Sequence, residues 1–239
     1  MCKQVQRERI VRLVTVVFDV GTAYCAGYAR GGPPISYCRN VRILRPSSED
    51  EMVALFLHAE LPSERYGSAI ERALVNAGAD RRVVGEPDLS DPGENAVRRR
   101  LLSEVRDYGG AGLFNGFPSD VRWEWAALTP EELMAVRFID YDYWVELSGG
   151  TRLPMEAARR IREGVAPFGV PNAGFLELAE ALAAGRRFPA LILVDGPGGL
   201  VVLEGHARLT AYALQPTAVP RELEALVGSS PSMSQWALY

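Results

Sequence analysis

Lysine is almost absent from this sequence: Lys3 is the only one, and arginine supplies every other member of the 26 basic residues. No internal lysine can therefore serve as Schiff base, nucleophile or phosphate clamp. The abundance of Arg, Ala and Gly points to a GC-rich bacterial genome. Cysteine is nearly as scarce. Cys2, Cys25 and Cys38 are odd in number, form no Cys-x-x-Cys, and have only His58 and His206 as imidazole partners. A disulfide framework and a zinc site are both argued against. Long apolar runs are missing too, since Ile10 to Val20 is interrupted by Arg12, Thr15 and Asp19. No membrane span or signal peptide is expected, and the expected location is cytoplasmic. Excess positive charge is also lacking: the net charge of -4 and pI of about 5.4 exclude a general polyanion binder and argue against specific nucleic-acid binding.

What is present is enough apolar material, 48% of 239 residues, to bury a substantial core in one large domain or two small ones. Its most informative stretch is Leu200 to Leu214. Leu200-Val-Val-Leu203 is strand-like, Glu204-Gly205 turns, and the pattern then becomes helical with Leu209, Tyr212 and Ala213 on one face. Gly205 lets the backbone approach a ligand closely. His206 and Arg208 fall in the first helical turn, where unpaired N–H groups and the positive end of the dipole attract anions, and Arg208 adds a bidentate phosphate donor. The plainer alternative is that Gly205 only turns the chain and both polar side chains are solvated. His206 at a helix N-terminus should be neutral in an empty site and charged once phosphate arrives.

Upstream lie an amphipathic helix, Phe175 to Ala184, an apolar strand, Phe188 to Val194, and the turn Asp195-Gly-Pro-Gly-Gly199. This order of helix, strand, hairpin, strand, Gly-His-x-Arg and helix resembles the ParB/sulfiredoxin superfamily over roughly the last hundred residues. Its Glu-Gly-His-x-Arg form is nearest to the free-serine kinase branch, which has Gly-His-His-Arg. The resemblance implies that the box, Glu204, Gly205, His206 and Arg208, binds the phosphates of ATP or another nucleotide, with Mg²⁺. Ala207 stands where those kinases and the sulfiredoxins have a second histidine, and His206 stands where sulfiredoxin has its reactive cysteine, which argues against sulfinic acid repair.

Earlier in the chain, Ile10 to Phe18 reads as a buried strand followed by Asp19-Val-Gly-Thr22, a strand-end turn, and Tyr37 to Leu44 as another strand. Helices are expected over Met52 to His58, Ser63 to Ala77 and Asn95 to Tyr108. The first two could form a helical hairpin. His58 reads as a packed residue. Arg98, Arg99, Arg100 and Arg106, among Glu94, Glu104 and Asp107, read as a solvated ion-paired face. Phe114 to Trp125 reads as an aromatic loop, placed either to stack a small ligand or to pack on the core. Thr129-Pro-Glu-Glu132 carries a capping box.

Val136 to Leu147 alternates Phe138, Asp140, Asp142, Trp144 and Glu146 against Ile139, Tyr141, Tyr143, Val145 and Leu147, the pattern of a strand with acids on one face. It leads into Ser148-Gly-Gly-Thr-Arg152. Ser148, Thr151 and Arg152 could complete a phosphate cradle, the place of the first nucleotide-contacting box in the resembled superfamily, or form a Gly-rich connection with Thr151 near a helix cap. Glu146 is the candidate base by resemblance, with Asp142 behind it. Glu204 either lines the same cleft or orients Arg208 or His206. Arg221 to Val227 would be the closing strand. The tail of about 25 residues after the helix that follows the box leaves no room for a helix-turn-helix domain, so partition-type DNA binding is not expected.

The expected class is α+β: a mostly helical region over residues 1–132 with one or two strands, then a ParB/sulfiredoxin-like small mixed sheet with flanking helices over 133–239. The function expected is a nucleotide-dependent phosphotransferase or hydrolase acting on a small-molecule substrate. The alternative is a nucleotide-binding regulator or interaction module without turnover. A homodimer is compatible with either.

Overall fold

A computed structural model describes residues 41–110 and 112–239. The cysteines, Lys3, the 10–18 strand and the Asp19–Thr22 turn lie outside the described residues. The elements in order are β1 (Arg42–Pro46), α1 (Glu49–Glu60), α2 (Gly67–Ala77), α3 (Arg82–Gly85), α4 (Pro92–Arg106), β2 (Arg122–Leu128), α5 (Pro130–Ala135), α6 (Asp142–Leu147), α7 (Pro154–Arg162), α8 (Ala173–Ala183), β3 (Leu191–Gly196), β4 (Gly199–Glu204), α9 (His206–Leu214) and β5 (Leu223–Ser229). The class is mixed α+β, as the sequence suggested.

The strands form one sheet in the order β1-β2-β5-β3-β4, antiparallel except for the parallel β3–β5 pair. Strict alternation along these strands builds two cores. Trp123, Ile192, Val194, Val201, Leu203 and Leu226 face α1, α2 and α4. Ala126, Leu128, Leu191, Leu193, Val202, Ala225 and Val227 face α5 to α9. The sheet is thus the middle of three layers, with α1 and α2 each packed on α4. It is continuous across residue 132, where the sequence suggested a boundary, because β2 pairs with β5 along its whole length.

Local chemistry accounts for the helix ends. Ser48 caps α1 by accepting from the Glu51 amide, Asp91 caps α4, and Thr129 with Glu132 forms the expected capping box of α5. Gly78 ends α2 in the left-handed conformation, with φ of 62°. Arg98, expected on a solvated face, is fully buried, with its guanidinium on Glu94, Val83 O and Asp88 O. His58 is packed, with Nδ1 3.3 Å from Val84 O.

Two elements differ from the sequence reading. Phe114 to Trp125 is not all loop: from Arg122 it is β2, held between β1 and β5. Its aromatics serve the core, with Phe117 edge-on to Trp236 at 5.5 Å. Val136 to Leu147 is not a strand either. Phe138 and Ile139 are both buried, which breaks the period of two. Arg137 runs beside β4, its N–H donating to Leu200 O at 2.9 Å, and from Asp142 the chain is helical.

Candidate functional site

The turn between β4 and α9 is fixed from inside the fold. Gly205 has φ of 106°, and a Cβ there would lie 2.4 Å from Leu191 Cδ2 and 3.2 Å from Arg208 Cζ. Only glycine fits that conformation and that space. From Arg208 to Leu214 the helix is buried on every face, whereas His206 and Ala207 are only partly buried. No side chain caps α9, so its first amides have no intrahelical partner.

Arg208 is engaged within the fold. One terminal nitrogen donates to both Glu204 carboxylate oxygens at 2.7 Å each, and the other to Pro189 O and Ala190 O at 2.7 Å each. In place of the expected phosphate clamp, it joins the end of β4 to the chain entering β3. The reading of Glu204 as an orienting partner is the one realised. Burial pushes the Glu204 carboxyl up, against the pull of the Arg208 guanidinium.

His206 lies in an aromatic stack, 5.0 Å from the Trp144 ring at 22° and 6.2 Å from Phe138 at 13°. Its Nε2 is buried and has no hydrogen-bond partner. Burial, reinforced by the positive charges of Arg106, Arg208 and Arg65, pushes the imidazole down to about 3, so it is neutral at pH 7. Arg106, the last residue of α4, donates to the Tyr66 hydroxyl and lies over the Tyr66 ring at 4.3 Å. Arg65 lies over the same ring at 5.0 Å. The sequence reading singled out neither: Arg106 resembled the ion-paired arginines beside it, and its packing on Tyr66 and Phe56 is tertiary.

The loop after α6 is self-contained. Ser148 Oγ donates to Trp144 O at 2.7 Å and accepts from the Arg152 amide at 2.8 Å. Thr151 Oγ1 donates to Ser148 O at 2.9 Å and accepts from the Leu153 amide. Arg152, at φ of 60°, reaches Phe138 O, Tyr239 O and Leu238 O. Instead of a phosphate cradle, the three side chains make the alternative connection, with Thr151 near the start of α7. Asp142 and Glu146 are exposed. Each is two residues from Trp144 on α6, and residues two apart point to nearly opposite helix faces, so neither carboxylate shares the face that meets His206.

Among the described residues no group of three or more His, Cys, Asp or Glu side chains could hold a metal ion. With Glu204 closed on Arg208, the turn's own carboxylate does not fit the role of Mg²⁺ ligand. Surface cavities of about 400 and 510 Å³, the first beside Asn76 and Arg100 and the second beside His58 and Arg82, do not include the turn.

No protein-family model, curated protein or solved structure matched the chain in comparison.

Proposed function

We propose that the protein binds a nucleotide, or another phosphate-bearing small molecule, at the start of α9, and acts as a non-catalytic regulator or interaction module of ParB/sulfiredoxin-like kind. The observation that carries this reading is the unpartnered Nε2 of His206. It lies at an uncapped helix N-terminus in the field of three arginines. A buried polar atom without a partner is costly, and an oxyanion meeting it together with the helix amides removes the deficit.

The same geometry weighs against turnover. Phosphoryl transfer to a hydroxyl needs a carboxylate positioned on the acceptor. Asp142 and Glu146 lie on the far side of α6 from Trp144, and Glu204 is closed on Arg208.

The test is a thermal-shift panel of ATP, ADP, CTP and GTP with Mg²⁺, followed by phosphate-release and acceptor-phosphorylation assays on any nucleotide that stabilises the protein. Stabilisation without product is expected; binding at a hundred times Kd raises stability by about 2.7 kcal/mol. Steady product formation would favour the phosphotransferase reading, and a panel without any shift would remove the nucleotide.

A further inference from the structure

We propose that the outer face of α8 and the loop before it form a dimer interface, on which a second copy of this chain lays its own α8 antiparallel. The interface is separate from the anion site at the α9 turn and does not depend on it.

α8 packs its inner face, with Ala179 and Leu182 buried, on α9. A helix with one side in water ordinarily carries charge there. Here Leu176 is 44% exposed, and Leu176, Glu180 and Ala183 form one outward stripe at i, i+4 and i+7. The loop before the helix continues this apolar surface. Phe168 is 69% exposed and Val170 44%, and Phe168 is held at φ of 55°, a conformation that a bulky residue rarely adopts. The loop is closed onto the start of α8, since Asn172 Nδ2 donates to Val165 O at 2.7 Å and Asn172 O accepts from the Phe175 and Leu176 amides. Phe168 is thus fixed in place with its ring in water, a cost without return inside the chain.

The charges say what covers the face. Glu177 and Glu180 lie in the middle of α8, while Arg186 and Arg187 follow its end, where the Arg186 amide donates to Ala181 O at 2.9 Å. All four side chains are exposed, and none makes an ion pair with another described residue. The arginines are roughly 9 Å or more from the acids along the axis. A second α8, related by a two-fold axis near Ala183, runs in the opposite direction and brings Glu180 of each copy opposite Arg186 of the other, and Glu177 opposite Arg187. A parallel arrangement would set acid against acid. The face is therefore complementary to itself, which is what a two-fold interface requires, and Ala183 at the axis lets the two helices approach closely.

The experiment is sedimentation equilibrium of the full chain. Three variants accompany the wild type: Glu177→Arg with Glu180→Arg, Arg186→Glu with Arg187→Glu, and all four substitutions together, which leave the net charge at -4. Expected are a wild-type species of twice the 26.2 kDa chain mass, dimer affinity weaker by about tenfold or more in each double variant, and recovery in the quadruple variant, because opposed charges are restored. The positions are exposed, so the fold should tolerate the changes, and recovery in the quadruple variant separates lost pairing from lost folding. A wild type that stays monomeric at its highest soluble concentration would overturn the proposal. A dimer indifferent to both double variants would overturn this face as its interface, and a quadruple variant no tighter than the double ones would overturn the antiparallel pairing.

Discussion

Arg208 and Glu204, four residues apart across the β4–α9 turn, form an ion pair in which one guanidinium nitrogen donates to both carboxylate oxygens at 2.7 Å, each residue less than a tenth exposed. Removing one partner of such a pair leaves a buried charge without compensation, at a cost of about 3–5 kcal/mol. Arg208→Ala is therefore expected to lower the midpoint of urea unfolding strongly, with or without nucleotide present. Replacing both residues by apolar ones of similar size should recover much of the loss. An Arg208→Ala protein as stable as the wild type would show the pair to be dispensable.

Gly205 makes a sharper local prediction. Alanine must adopt a φ near 106°, which costs about 1–3 kcal/mol in backbone strain alone, and its Cβ must displace the buried Leu191 side chain. Gly205→Ala should unfold at lower denaturant with an unchanged slope. A neutral effect would mean that the turn relaxes without cost.

His206 makes stability depend on pH. Unfolded, its imidazole takes up a proton near 6.5; in the fold it does so only near about 3. Between these values the unfolded state binds more protons, so the contribution is complete above 6.5 and is lost progressively as pH falls towards 3. Glu204, whose carboxyl is raised by burial, acts in the opposite sense, being most favourable below its ordinary value and less so as pH rises through the raised one. His206→Gln should flatten the melting-temperature profile between pH 6.5 and 4.5. An unchanged slope would place the titration elsewhere.

Glu51 governs a lower window. It accepts from Arg45 at 2.6 and 3.0 Å, from Ser47 Oγ and from Trp125 Nε1. The Arg45 guanidinium, joined by these donors, brings its carboxyl down from 4.5 to about 2. The stabilisation is thus full above 4.5 and lost as pH falls from there to 2. Glu51→Gln should be less stable at pH 7 and lose less on acidification. A parallel acid transition in wild type and variant would contradict the assignment.

How legible the molecule was varies by element. The run from Phe175 to Leu214 was readable because its helix, apolar strands and Gly-Pro-Gly-Gly turn are local signals of matching period. β2 was hidden because Trp123 and Trp125 resemble a loop's aromatics, and its identity comes from pairing with β5, about a hundred residues onward. The α6 segment misled because a short run mixing acids and apolar residues fits both periods; its burial decides. At the turn, the i,i+4 spacing of Glu204 and Arg208 already permitted their pairing, and the structure adopts it. The placement of Arg106 over Tyr66 and Phe56, apart from the ion-paired arginines beside it, could not be read from sequence, since it is set by packing between α1, α2 and α4.

The most direct test of the phosphate-binding account is the ¹⁵N spectrum of the His206 imidazole during titration with pyrophosphate at pH 7. The account predicts a neutral ring in the free protein that moves to imidazolium shifts with saturation at one equivalent. A ring that stays neutral at saturating ligand, or that is already charged without it, would contradict the account.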